Sequence, residues 1–209
     1  MIYIFGDSHA NSNFKNLQIP NINGYTNSIT MHRIGRDKLN CINFKNYNIS
    51  QNDIVIYQVG EVDCRCHIGK QLLLNRTLDE IVETLTQQFM ESIFINLEQY
   101  RNEPVVVLPK IIVCCIPPPM NKTYYTEKHG EITHKYPFIG DDKERSQFTT
   151  LVNNSLKEKC EKNGFSFLDY YQDYTNENGT IIESKTDDIC HILDTTKIEI
   201  KLNEILQNF

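Results

Sequence analysis

The chain opens with MIYIFGDSHA, and no other stretch constrains the fold as strongly. Ile2, Tyr3, Ile4 and Phe5 make an apolar run too short for a helix before Gly6, which is the pattern of a buried strand. Gly6 ends the run. Asp7, Ser8 and His9 then place a carboxylate, a hydroxyl and an imidazole at the carboxyl end of that strand, where open α/β sheets hold their ligands. Two readings follow: an ordinary strand-to-loop turn, or a serine nucleophile at the sheet edge.

The rest of the pattern predicts what the first strand joins. Residues 11 to 27, with Pro20 and Gly24, read as loop with at most one helical turn. A second strand is predicted within Ser28 to Ile34, ending at Gly35. The segment NDIVIYQVG, residues 52 to 60, has the continuous apolar character of a central parallel strand buried on both faces. Thr77 and Glu80 form a capping box ahead of a helix that runs to about Tyr100, with Ile81, Val82, Leu85, Phe89, Ile93 and Leu97 at helical spacing. Val105 to Leu108 and Lys110 to Ile116 flank Pro109 as a fourth strand, which the prolines 117 to 119 terminate. Residues 117 to 141 read as a long loop of functional length. A helix follows from about Asp142 to Asn163, stopped by Gly164. Phe165 to Leu168 make a fifth strand, and a last helix starts near Thr195 or Thr196 with Glu199 completing a capping box. Alternation of this kind predicts a three-layer α/β/α sandwich around a central parallel sheet of about five strands. With 209 residues, a single domain over 1–209 is expected.

Composition excludes several classes. A net charge of -6 without a basic stripe argues against nucleic acid as a partner. No apolar run approaches the roughly 18 residues that would span a bilayer, so no membrane partner is expected. The first strand begins at the initiator, leaving no room for a signal peptide, and a cytoplasmic protein is expected. Seven cysteines, an odd number in such a chain, point to reduced thiols rather than a disulfide framework. The abundance of Asn, Ile, Lys and Tyr resembles translation of an AT-rich genome, viral or microbial.

Near the other end stands Asp187-Asp188-Ile189-Cys190-His191. A carboxylate three residues before an imidazole in a loop can hold Nδ1–H and free Nε2 to take a proton, which nominates Asp188 as orienter and His191 as base. A solvated loop pair is the bland alternative. A serine at a strand end makes the combination specific.

Gly6-Asp7-Ser8 and Asp188-Ile189-Cys190-His191, in this order and at these ends, resemble the SGNH or GDSL-type hydrolases, and the resemblance spans the chain. It implies a three-layer α/β/α fold, with Ser8 as nucleophile, His191 as general base and Asp188 as its orienter. It also implies an oxyanion glycine, for which Gly35 in HRIGRD is the match, with the Ser8 amide beside it. The family's third block, GxND, supplies an Asn donor, but this chain reads Gly60-Glu61-Val62-Asp63, so that donor is missing. The longer run GEVDCRCHI, with YPFIGDDKER further on, is similar to a subgroup associated with glycan biosynthesis. By this resemblance the substrate is a small-molecule or glycan ester, the acyl group is acetyl, and no cofactor is required. A sugar O-acetyltransferase on the same triad, or a non-catalytic glycan-binding module that lost the chemistry at Val62, are the other readings.

Other side chains carry two readings each. Arg65 beside Glu61 and Asp63 is either a structural ion pair or a substrate and oxyanion clamp. Cys64, Cys66 and His67 are crowded on one segment without the second pair that zinc sites use, so no metal is expected there. His32, Arg33 and Arg36 read as loop residues that could meet a sugar hydroxyl or carboxylate. His9 is a structural hydrogen-bonder rather than a second base. His129 and His134 read as surface loop, and the loop aromatics of 117 to 138 as packing or a sugar platform.

Overall fold

The computed structural model describes residues 1–18, 20–23, 29–101, 108–131 and 136–209. Strand β1 (Ile2–Gly6) lies between β2 (Asn21–Asn23) and β3 (Ile54–Gln58), and β4 (Lys110–Cys114) and β5 (Ser166–Leu168) extend the sheet beyond β3. All neighbours are parallel, giving five strands in the order β2-β1-β3-β4-β5. The helices are α1 (Ser8–Asn13), α2 (Met31–Asp37), α3 (Ile68–Leu72), α4 (Leu78–Glu98), α5 (Lys122–His129), α6 (Asp142–Asn163) and α7 (Thr196–Leu206).

The period-2 geometry of a strand divides the apolar runs between two layers. Tyr3 and Phe5, Val55 and Tyr57, and Ile111 and Val113 bury against α2, α4 and α6. Ile2 and Ile4, Ile56, and Ile112 and Cys114 bury against α1 and α7. Both faces are covered, which is why these strands read as unbroken hydrophobic runs. The expected three-layer sandwich with a parallel sheet of five strands is the observed fold.

Local signals placed the two long helices. The Thr77–Glu80 capping box starts α4, and Asp141 with Glu144 makes a second one at α6. Gly164 ends α6 in the left-handed region, at φ 69°. At α7 the capping box is absent: Thr195 Oγ1 donates to the Glu199 carboxylate at 2.6 Å instead of accepting from the backbone. The long loop of 117 to 141 contains α5, capped by the Asn121 side chain on the Tyr124 amide at 2.8 Å.

The second strand is a correction. Met31–Asp37 is helical, capped by Thr30 Oγ1 on the Arg33 amide at 3.1 Å, and the strand paired with β1 is Asn21–Asn23. Ile29, Met31 and Ile34 are all buried, and over so short a run this spacing cannot separate a strand from a capped helix. The fourth strand stops at Cys114 rather than Ile116; beyond it, the Asn153 side chain takes over the ladder, accepting from the Ile116 amide and donating to its carbonyl. Residues 105 to 107 of that predicted strand lie outside the described residues, as does Ser28.

Gly35 consequently does different work from that expected. It lies inside α2, where a Cβ would come 2.8 Å from Gln88 Cβ and 2.9 Å from the Gln88 carbonyl carbon of α4. Its role is close helix packing. Gly35→Val should destabilise the fold by about 2 kcal/mol through overpacking, read as a lower urea midpoint. An unchanged midpoint would contradict this contact.

Candidate active site

The first strand delivers Ser8 by steric necessity. Gly6 lies so close to β3 that a Cβ would sit 2.0 Å from the Gln58 carbonyl oxygen. Asp7 then caps α1, its carboxylate accepting from the His9 amide at 2.9 Å. Ser8 is the first residue of that helix, and its amide has no acceptor within the helix. Under α1, a buried network fixes the helix to the sheet: Asn13 Nδ2 donates to Gln58 Oε1 at 3.3 Å and to Tyr170 Oη at 3.0 Å. Tyr170 Oη donates to Gln58 Oε1 at 2.7 Å, and Gln58 Nε2 to the Cys115 carbonyl at 3.2 Å.

The loop ahead of α7 brings the second half of the site. His191 Nε2 lies 2.7 Å from Ser8 Oγ, and His191 Nδ1 lies 2.6 Å from Asp187 Oδ2. The carboxylate at His191 is therefore Asp187, not Asp188. The amides of Ile189, Cys190 and His191 all donate to Asp187 Oδ1 at 3.0 Å, so the loop is wound around this side chain. Asp188 has φ 63° and is turned away. Its carboxylate accepts from Tyr124 Oη and its carbonyl lies 2.9 Å from His129 Nε2, which ties α5 to the loop. His129 thus has a partner the sequence did not suggest. His134 lies outside the described residues.

Electrostatics follow this geometry. Burial pushes Asp187 up, but the His191 ring and the loop amides hold it below the ordinary carboxylate value. Burial lowers His191, yet the Cys190 sulfur and the Asp187 carboxylate carry it above the ordinary histidine value against the opposing charge of His9. His9 is buried between Asp7 Oδ1, 3.0 Å from Nδ1, and the Cys190 carbonyl, 3.1 Å from Nε2. Burial would lower it, and Asp7 and Cys190 raise it well above its usual value. The expected hydrogen-bonding role of His9 matches these contacts.

The segment after β3 turns as a π-helical stretch, Asp63–His67. Asp63 is fully buried, accepting from the Met31 amide at 2.8 Å with His67 Nδ1 3.0 Å away; it joins α2 to this turn. Glu61 is buried, with Arg65 Nε 3.2 Å from Glu61 Oε1 at an angle too poor for a hydrogen bond. The Arg65 guanidinium stands 5.7 Å from the centre of the Phe138 ring. Burial works to lower the Arg65 pKa, and the Glu61 carboxylate beside it raises it above the ordinary value. Val62 is half-buried at the start of the turn. Cys64 and Cys66 are buried in the core, and His67 is taken by Asp63. Arg33 and Arg36 are exposed and pair with Asp37, while the His32 ring sits 6.5 Å from that of His67. A cavity of about 360 Å³ lined by His32, His67, Lys70 and Arg76 includes neither Ser8 nor His191.

Asp187 was missed for a local reason. Two adjacent aspartates offer two spacings to His191, and only the backbone decides between them. Cys190, counted in the sequence only as one of seven reduced thiols, lies beside both imidazoles.

No family model and no curated protein matches the chain. Solved structures do. A protein from Streptococcus pneumonia provisionally described as a platelet activating factor is 14% identical, with a TM-score of 0.63, 98% of this chain and 83% of that chain covered. A GDSL-like lipase from Bacteroides thetaiotaomicron is 13% identical at a TM-score of 0.58, covering 99% of this chain and 87% of its own. An acetyl xylan esterase is 14% identical at 0.53, with 100% and 99% covered. At such identities the likeness defines the fold: the chain has the α/β fold of the SGNH/GDSL hydrolases. Among the described residues, no helix is long and apolar enough to cross a membrane.

Proposed function

We propose that the chain is a serine ester hydrolase of the SGNH type, releasing a small acyl group, acetyl, from a carbohydrate or similar polar ester. The observation that carries this reading is the continuous relay Ser8 Oγ, His191, Asp187, with contacts of 2.7 and 2.6 Å. The GDSL-like lipase and acetyl xylan esterase among the structural neighbours support the reaction class and the choice of acyl group.

In this mechanism Asp187 holds the Nδ1–H tautomer of His191, so Nε2 presents a lone pair to Ser8. The Ser8 proton passes to Nε2 as Oγ attacks the ester carbonyl. The Ser8 amide, first in its helix, donates to the oxyanion. The protonated His191 then gives its proton to the departing alcohol oxygen. Water, deprotonated by the same Nε2, hydrolyses the acyl-serine and returns Ser8 to its starting state. Gly35 has no part in the oxyanion hole, being inside α2. Arg65 is the proposed second donor: its charge is permanent, and the Val62 side chain has no donor to offer. Glu61 and Asp63 hold the turn that carries it. The intact relay disfavours the binding-module reading raised by Val62.

The test is hydrolysis of a small acetyl ester across pH, in the presence of a chelator. His191 works as a base only when neutral, and its pKa stands above the ordinary 6.5. The rate should therefore fall as pH drops, with the midpoint of the acid limb above 6.5 and a plateau at higher pH. A flat acid side, or no hydrolysis of any acetyl ester, would contradict the reading.

A further inference from the structure

His9, Cys190 and His191 gather more donor chemistry than ester hydrolysis uses. One ligand atom from each lies within 4.8 Å of the other two, the one such group of three among the described residues. Both imidazoles are already fixed as metal-binding histidines are, with Nδ1 held by a carboxylate. Asp7 Oδ1 is 3.0 Å from His9 Nδ1, and Asp187 Oδ2 is 2.6 Å from His191 Nδ1. Each Nε2 can then turn to a metal, that of His9 by giving up the Cys190 carbonyl 3.1 Å away and that of His191 by giving up Ser8 Oγ, and a carboxylate behind a histidine both orients the ring and raises its basicity as a ligand.

We propose that His9 Nε2, Cys190 Sγ and His191 Nε2 form a reversible binding site for a zinc-class dication, whose occupation silences Ser8. Donor type selects the metal. Two imidazoles and one thiolate suit zinc and its d-block neighbours, and disfavour magnesium and calcium, which take oxygen. Tetrahedral coordination needs donors about 3.5 Å apart, so the cluster must close by about one ångström. His9 and Cys190 are buried, and His191 is half-buried, so the cluster reaches solvent through His191. Binding forms one S–metal and two N–metal bonds. The Cys190 thiol proton, and any proton on either Nε2, leave to water, and no electrons are transferred. The fourth position goes to water or Ser8 Oγ.

The inhibitory consequence follows from shared atoms. His191 Nε2 cannot hold a metal and accept the Ser8 proton at once, so occupation breaks the 2.7 Å contact that activates Ser8. This consequence rests on the esterase reading, whereas the binding does not. Cys64 and Cys66 offer no rival site, being packed in the core without histidine partners.

The experiment titrates the whole, metal-stripped protein with Co²⁺ and then Zn²⁺, in parallel with ester hydrolysis. Wild type should bind one Co²⁺ with a thiolate-to-cobalt charge-transfer band in the near ultraviolet, which zinc bleaches, and zinc should inhibit hydrolysis reversibly by EDTA. Cys190→Ser should lose the band, bind zinc about 100-fold more weakly, and keep hydrolysing at zinc concentrations that silence wild type. Should Cys190→Ser fail to fold, His9→Gln, which keeps the thiol but loses one imidazole, should bind cobalt and zinc about 100-fold more weakly and show a diminished band at the cobalt concentration that saturates wild type. No band in wild type, or an undiminished band in both variants, would overturn the site. A band without any hydrolysis to inhibit would leave the site standing and overturn the esterase reading alone.

Discussion

Asp187→Asn is expected to lower kcat by about 10⁴-fold with the fold intact, whereas Asp188→Asn is expected to lower it by less than about 10-fold. The loop backbone is the reason. Three amides donate to Asp187 Oδ1, and His191 Nδ1 meets Oδ2, so the carboxylate both shapes the loop and sets the imidazole tautomer. An asparagine can keep the amide contacts through its oxygen. Its NH₂ then faces Nδ1, which moves the ring proton to Nε2 and leaves Ser8 without an acceptor. Asp188 instead accepts from Tyr124 Oη, a contact that the asparagine oxygen preserves. Steady-state kinetics with circular dichroism on both variants decides the matter, and the reverse ranking would return the orienting role to Asp188.

Larger losses are expected at the other two members of the relay. Ser8→Ala and His191→Ala should each reduce kcat by about 10⁶-fold, and the double variant should be no worse than either. Residues that act as one unit lose their whole contribution with the first removal. Stability should change little in Ser8→Ala, because Ser8 is half-buried and its side chain meets His191 rather than the core. Additive losses in the double variant would mean that Ser8 and His191 work separately.

The parts of this molecule legible in the sequence are those set by local chemistry. The apolar runs of β1 and β3, the capping box of α4 and the glycine stop of α6 each carry their own signal, and together they were enough for the sheet and its layers. The second strand failed because Asn21–Asn23 is only three residues long at the sheet edge, with a single apolar residue, Ile22, that stays exposed, while the apolar residues after it belong to a capped helix. Gly35 carried a plausible motif but is required by a neighbour more than fifty positions away, Gln88 of α4. The site shows the same division. Ser8 and His191 were readable at opposite ends of the chain, since their element boundaries were readable. Which aspartate faces His191 depends on the left-handed turn at Asp188, and the gathering of His9 with Cys190 depends on β1 and the last loop meeting in space.

The central claim is that Ser8 is a nucleophile activated by His191, and reaction with a fluorophosphonate tests it most directly. The phosphonyl fluoride is attacked only by an activated oxygen nucleophile, and mass spectrometry of the digested protein locates the adduct. Wild type should carry one phosphonyl group, on Ser8, and His191→Ala should carry none. An adduct on another residue, or a wild-type protein that takes up no probe while correctly folded, would contradict the account.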